Sequence, residues 1–324
     1  MAIFSCSNKK KPEKECKVIS VFDLKAEKFQ PKSGRVLCLE TSDSCLLGEQ
    51  VKILQNNNAD IFVGDFSANK TVFRFNNKGK FINKIGHKGQ GPKEYPLFHD
   101  FIVYNDTISI ISKKGTKSNI YSYTNSGKFV ANLEVEVGSY TLGRLGDKYL
   151  LNTSYNPSSY SHRLYTFNLK GEKCAAFLPY PEKIFDMSIY DPNFSNIGTA
   201  ILYRQLFDRY IYEYRNNQLK KKYEFDFGKY AIPMSFFEEG LMQGYKALQK
   251  NGFGDVHACF ESSKYAVFYL VVRPGGKSPV QFEYIVLNKT SNQLKRYSFA
   301  KADNYLGTLV GLNHNNELVF KVNA

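Results

Sequence analysis

The chain has 324 residues and a formal net charge of +14, with 43 % hydrophobic and 23 % charged residues. That share of apolar residues supplies a sizeable core and excludes a disordered chain. No apolar run approaches the roughly 20 residues that a membrane-spanning helix needs. Aromatics reach 15 % without a tryptophan, carried by 23 Tyr and 26 Phe, and such a load favours strands, whose half-buried pleated surface suits flat rings.

The first residues carry their own signal. Ile3-Phe4-Ser5 runs into Cys6, and Ser7-Asn8-Lys9-Lys10-Lys11-Pro12 follows as a polar tether. Small and apolar residues leading into a cysteine and then an abrupt polar linker resemble the lipobox of bacterial lipoproteins. The resemblance implies lipidation of Cys6 and a tether over residues 1–16. The basic region and most of the apolar stretch of a signal peptide are absent from the written chain, so this reading expects them upstream. A lipidated end would hold a soluble fold near a membrane. Residues 1–34 contribute +4 and the remainder about +10, set mostly in turns such as Lys78, Lys80, Lys113, Lys114, Lys170 and Lys173. A nucleic-acid binder would concentrate the excess in one stripe, so no nucleic-acid partner is expected.

Next come two strand-like runs, Lys17–Val21 and Arg35–Leu39, and then a repeat. Val72–Phe81 (VFRFNNKGKF) returns as Ile120–Phe129 (IYSYTNSGKF) and as Leu164–Lys173 (LYTFNLKGEK). Looser copies stand at Ile211–Leu219 and Tyr284–Leu294. Alternation at period two with an Asn/Gly turn predicts a β-hairpin, and each hairpin follows two shorter strand-like runs. Gly79, Gly127 and Gly171 are 48 and 44 residues apart, the spacing of four-stranded propeller blades. After Lys301 only two strands remain, near 308–311 and 317–322. The expected fold is therefore an all-β, six-bladed β-propeller over 17–324, its last blade joining these two strands to the two amino-terminal ones. Residues Met234–Asn251 break the period and predict one helix, with Phe237, Leu241, Tyr245 and Leu248 on one face. It reads either as an amphipathic insertion covering a sheet edge or ring face, or as a lid or docking helix.

Between the first two units runs Ile85-Gly86-His87-Lys88-Gly89-Gln90-Gly91-Pro92-Lys93-Glu94-Tyr95. Together with the Gly79-Lys80-Phe81 hairpin it resembles the six-bladed, TolB/NHL-like propeller lipoproteins of Gram-negative gut anaerobes, although Lys93 replaces a glycine of their loop. That resemblance implies a propeller carried on a lipid anchor at the cell envelope. Physically, the glycines let backbone amides converge toward an anion, and Glu94 and Tyr95 offer a carboxylate and a phenol. The loop reads equally as a structural crossing locked by Pro92.

Of the six cysteines none forms C-x-x-C, and the five histidines form no metal motif, so no metal or other cofactor is expected. Cys38, Cys174 and Cys259 lie in strand-like runs and are expected to behave as small buried hydrophobes. Serine-hydrolase chemistry lacks its G-x-S-x-G elbow. Asp65, Glu94, Asp100 and Asp208 are candidate carboxylates for the channel, and each is alternatively a turn or cap residue. Arg204 and Arg273 are placed to meet an anionic ligand or to pair with blade loops. The leading reading is a monomeric, non-enzymatic binding or scaffold propeller that grips a protein or glycan over its loop face through Lys88, Gln90, Glu94, Tyr95, Arg204 and Arg273. It is anchored by lipid on Cys6, on the periplasmic face of the envelope. The alternative is a carbohydrate-active hydrolase or lyase with paired channel carboxylates.

Overall fold

Strands that alternate rings with polar residues need neighbours to bury the rings, and the chain supplies them hairpin by hairpin. The computed structural model describes residues 16–29, 34–56, 58–299, 308–313 and 317–322. Two short strands come first, β1 (Lys17–Ser20) and β2 (Ala26–Lys28). Blade one is β3 (Val51–Gln55), β4 (Ile61–Asp65), β5 (Thr71–Phe75) and β6 (Phe81–Ile85). Blade two is β7 (Asp100–Tyr104), β8 (Thr107–Lys114), β9 (Lys117–Thr124) and β10 (Phe129–Val135). Blade three is β11 (Leu142–Leu145), β12 (Lys148–Asn152), β13 (His162–Asn168) and β14 (Lys173–Pro179). Blade four is β15 (Phe194–Asn196), β16 (Ile201–Arg204), β17 (Tyr210–Arg215) and β18 (Gln218–Asp226). Blade five is β19 (Phe253–Glu261), β20 (Tyr265–Arg273), β21 (Gln281–Asn288) and β22 (Gln293–Phe299). A last hairpin pairs β23 (Thr308–Leu312) with β24 (Leu318–Lys321). Within each blade spatial order follows chain order, an antiparallel meander.

The repeated turn has a physical cause. Gly79, Gly127 and Gly171 take φ of +80°, +86° and +84°, and each turn is followed by a register shift in its hairpin. The Asn76 side-chain oxygen accepts hydrogen bonds from the Lys78 and Lys80 amides, and Asn168 does the same for Lys170 and Glu172.

Blades then pack face to face through rings seated on glycines. A Cβ on Gly64 (β4) would come within 2.4 Å of the Phe101 ring on β7, and one on Gly143 (β11) within 2.9 Å of Phe194 on β15. The inner strands β3, β7, β11, β15, β19 and β23 touch in succession, and β23 also meets β3, so the ring closes.

The expected closure is corrected. The described residues form five blades of at least four strands, and β23–β24 is a two-stranded sheet. The amino-terminal strands do not pair with it. Instead β1 runs parallel along β18 and β2 runs parallel along β22. The reason is burial: Ile19 and Val21 are fully buried among Phe225, Phe268 and Ile285, between blades four and five, and β1 covers an edge that would otherwise stay open. Residues 35–39 form no strand, yet they stand beside blade one. The Cys38 carbonyl oxygen lies 2.1 Å from where a Gly79 Cβ would be. Gly127 meets the carbonyl of Lys84 on β6, and Gly171 that of Glu134 on β10, in the same way.

The expected single helix is two, α1 (Ser235–Glu238) and α2 (Leu241–Asn251), separated at Gly240, whose φ is +88°. The break turns Phe236, Gly244 and Leu248 inward and leaves Leu241 and Tyr245 exposed. Of the thiols expected inside, Cys259 is buried but Cys38 and Cys174 are exposed, because 38 lies outside any sheet and 174 on an outermost strand.

The Gly64→Ala substitution is expected to lower stability by about 1–3 kcal/mol through overpacking against Phe101. Gly311→Ala, where a Cβ meets nothing within 4 Å, is expected to stay within about 0.5 kcal/mol of the parent. Urea unfolding of both variants checks this, and equal midpoints would refute the ring-on-glycine account.

Candidate functional site

In a four-stranded meander the blade-to-blade connections and the turns between second and third strands emerge at one ring face, and the Gly79, Gly127 and Gly171 turns at the other. The first face therefore carries residues 86–99, 136–141, 180–193 and 227–252, the last including both helices.

Loop 86–95 proves largely self-contained. Tyr95 is fully buried, edge-on to the Tyr121 and Tyr123 rings, and donates its hydroxyl to the Lys70 carbonyl at 2.9 Å. Glu94 accepts the Gly91 amide at 2.9 Å, and its other oxygen lies 3.9 Å from His87 Nε2. Tyr123 donates to the Lys93 carbonyl at 2.8 Å. Of the four loop residues expected to meet a ligand, the structure leaves Lys88 and Gln90 exposed, while Tyr95 locks the loop between blades and Glu94 braces it.

The remaining carboxylate candidates are likewise engaged. Asp65 accepts amides from Gly48, Ser67, Ala68 and Asn69. Burial alone would raise its pKa, but these hydrogen bonds with that of the Asn69 side chain hold it well below the usual carboxylate range. Asp100 takes Lys52 Nζ at 2.7 Å and the Leu142 amide at 3.0 Å, tying three blades together. Asp208 takes Arg163 at 2.7 Å. Arg204 is buried, donating to the Val256 carbonyl at 2.8 Å and pairing with Asp191. The Arg273 guanidinium lies 5.2 Å from the centre of the Phe253 ring. Both arginines act on His257, whose pKa is pushed down to about 3 by burial first and these cations second. Loop 86–95 and the arginines share a ring face but belong to different blades.

Three residues that the sequence reading passed over assemble on that face. His99 immediately precedes β7, Tyr140 nearly precedes β11, and Tyr190 lies on the way into β15. Their rings form one platform: Tyr140 to Tyr190 at 3.9 Å, His99 to Tyr140 at 5.2 Å and His99 to Tyr190 at 6.3 Å between centroids. Tyr190 is 66 % exposed. The ammonium of Lys113 sits 4.8 Å from the centre of the Tyr140 ring. His99 Nδ1 accepts the Lys113 amide at 3.0 Å. Burial, then Lys113, push its pKa down to about 4, so at neutral pH the ring is uncharged with its proton on Nε2. Burial and Tyr140 push Tyr190 up to about 12. Beneath the platform Thr141 donates to the Asn193 side chain at 2.8 Å, which fixes blade three against the approach to blade four.

The helices cover the neighbouring sector. Phe236, Leu248 and Phe253 pack with Phe185, Met187, Phe207 and Phe237, which joins two blade connections and the turn between β16 and β17 in one apolar cap. Near it Asp255 is buried, accepting the Phe207 amide at 2.7 Å and the Val256 amide at 2.8 Å. Burial raises its pKa to about 7 against the pull of those hydrogen bonds and of Arg204. No group of three or more His, Cys, Asp or Glu is arranged to hold a metal ion among the described residues.

The architecture is that of a β-propeller with one elaborated face. Residues 20–324 match the family described as Domain of unknown function (DUF4934), and the chain belongs to that family. A crystal structure of an exported-protein candidate from Bacteroides fragilis is similar at 21 % identity and a TM-score of 0.69, over 84 % of this chain and 78 % of that one. A DUF4221 member from Bacteroides vulgatus is similar at 12 % identity and a TM-score of 0.50, over 78 % and 82 %. These likenesses establish the fold. No curated protein matches the chain. No described helix is long and apolar enough to cross a membrane.

The Asp255 carboxyl is expected to titrate with a midpoint near 7 by carbon-detected NMR. Its pKa is about 3.9 when unfolded. The folded value is raised, so its stabilising contribution is complete below about pH 4 and lost as pH rises through 7. Stability compared between pH 5 and pH 8 is expected to fall more steeply in the parent than in Asp255→Asn. Parallel slopes would contradict the assignment.

Proposed function

We propose that this chain is a non-enzymatic binding or scaffold propeller of the bacterial cell envelope, gripping a ligand or protein over the ring face that carries the platform. The observation that supports the reading is the exposed Tyr190 ring, packed at a tilt against Tyr140 and His99 beside an ammonium with no carboxylate partner among the described residues, on the face where the described blade connections emerge. The rival reading, a carbohydrate-active hydrolase or lyase, needs two carboxylates free to reach a substrate. The engagement of Asp65, Asp100 and Asp208 by amides, Lys52 and Arg163 favours binding instead.

The wheel counts six positions in this reading. β23–β24 fills the inner half of the sixth, and residues 36–40 take the outer position, since Cys38 meets Gly79 as β6 meets Gly127 and β10 meets Gly171. Support for export comes from the Bacteroides fragilis relative, and support for an anchor from Cys6 and its tether, which lie outside the described residues. The lean to the periplasmic side rests on the lysines that follow Cys6. The protein acts as a monomer, without a cofactor and without nucleic acid.

Two measurements test this. Mass spectrometry of the protein from its native host is expected to find acyl chains on Cys6, and an unmodified Cys6 in the mature protein would remove the anchor. A photo-crosslinker replacing Tyr190 is expected to capture envelope components, whereas one replacing Lys78 on the opposite face is not. Capture from Lys78 alone would refute loop-face binding.

A further inference from the structure

We infer that the His99–Tyr140–Tyr190 platform binds an anionic saccharide, a sugar ring lying on Tyr190 and its carboxylate or sulfate facing Lys113. The inference rests on the loop-face reading and adds the chemical class of the ligand.

The first ground is shape. Tyr190 leaves a flat apolar surface in water, and among the described residues its ring contacts are those to Tyr140 and His99, with a hydrogen bond to Tyr140. The support is rigid, since Tyr140 stands between Ser139 and Thr141, whose hydroxyls are held by the Asn152 carbonyl at 2.7 Å and by Asn193. A preformed aromatic floor lowers the ordering cost of a ligand laid flat upon it.

Polarity is the second ground. With Nδ1 occupied by the Lys113 amide, the His99 proton sits on Nε2, for which no hydrogen-bond partner stands among the described residues. The Lys113 ammonium adds further donors and has no carboxylate partner there either. The acids next to the platform in the chain are engaged elsewhere, Asp100 by Lys52 and Asp191 by Arg204, and Glu136 of the Tyr140 connection lies 3.6 Å from Lys117. The platform therefore offers a ring face, donors and a positive charge. A sugar acid answers all three at once: carbon-bound hydrogens on the ring face, hydroxyl oxygens for His99 and an anionic group for Lys113. An extended peptide presents no continuous face of carbon-bound hydrogens to lie flat on Tyr190, as a sugar ring does.

Titration calorimetry on the full chain decides it, with oligogalacturonate and a sulfated galactan oligomer as anionic probes, neutral galactan of equal length as control and hexaglutamate as the acidic peptide. The anionic saccharides are expected to bind, more weakly as salt rises. The Tyr190→Ala variant is expected to weaken binding about tenfold or more, with Tyr190→Phe close to the parent. Lys113→Gln is expected to erase the preference for anionic over neutral sugar while leaving the neutral sugar unaffected. Thermal unfolding of these variants should match the parent. Comparison of the two anionic probes shows whether carboxylate or sulfate is preferred. No saccharide binding, equal affinity for the neutral sugar, or indifference to Tyr190→Ala would overturn the inference. Hexaglutamate binding that Tyr190→Ala abolishes, without sugar binding, would overturn the sugar and leave loop-face binding standing. Crosslinking from Lys78 alone would refute both.

Discussion

The structure depends on how closely one blade can approach the next. A four-stranded sheet has two large faces, and in a ring both must be buried against neighbours. The chain achieves this with a large ring on one blade and a missing Cβ on its neighbour, Phe101 on Gly64 and Phe194 on Gly143. At the same level a polar belt sets the angle. Lys52 of blade one reaches Asp100 of blade two, Asp100 holds the Leu142 amide of blade three, Thr141 holds Asn193, and Arg204 holds the Val256 carbonyl of blade five. Buried ions and amides must be satisfied in one geometry, so the belt selects a packing that apolar contact alone would leave loose.

Periodicity made the blades legible and could not make their closure so. The hairpins at 72–81, 120–129 and 164–173 form where the alternation and the turn glycines place them, because those signals are local. The fate of Lys17–Val21 is not local. A short run with an apolar Ile19 and Val21 can complete any open edge, and the choice of β18 follows from a cleft between blades four and five that exists only after folding. Residues 35–39 show the converse, since their position against Gly79 agrees with the expected blade while their backbone does not pair as a strand.

The site was less legible for a similar reason. Gly-rich loop 86–95 and the charged residues Arg204, Asp65 and Asp208 stood out by composition. Composition did not reveal that each already had a partner: the Gly91 amide for Glu94, Asp191 for Arg204, Arg163 for Asp208. The platform residues stood out by nothing. His99 was one scattered histidine, and Tyr140 and Tyr190 were two of 23 tyrosines. Their shared feature is a place in the residues leading into an inner strand, where the Asp, Thr or Asn of the polar belt also sits. A two- or three-residue coincidence of that kind becomes visible only once the blades are aligned in space.

The division of the face follows from the same geometry. The connections into blades four and five carry Phe185, Met187, Phe236 and Phe237, which pack with Phe253 of β19 and leave little to offer a small ligand. Over blade three the connection 136–141 is short, and its Tyr140 meets Tyr190 from 180–193 and His99 from 86–99. The cap shares the 180–193 connection with Tyr190, and Tyr155 touches Phe237 of the cap and donates its hydroxyl to the Leu206 carbonyl. That asymmetry within a repeating fold is the physical basis for locating recognition at one sector of the ring.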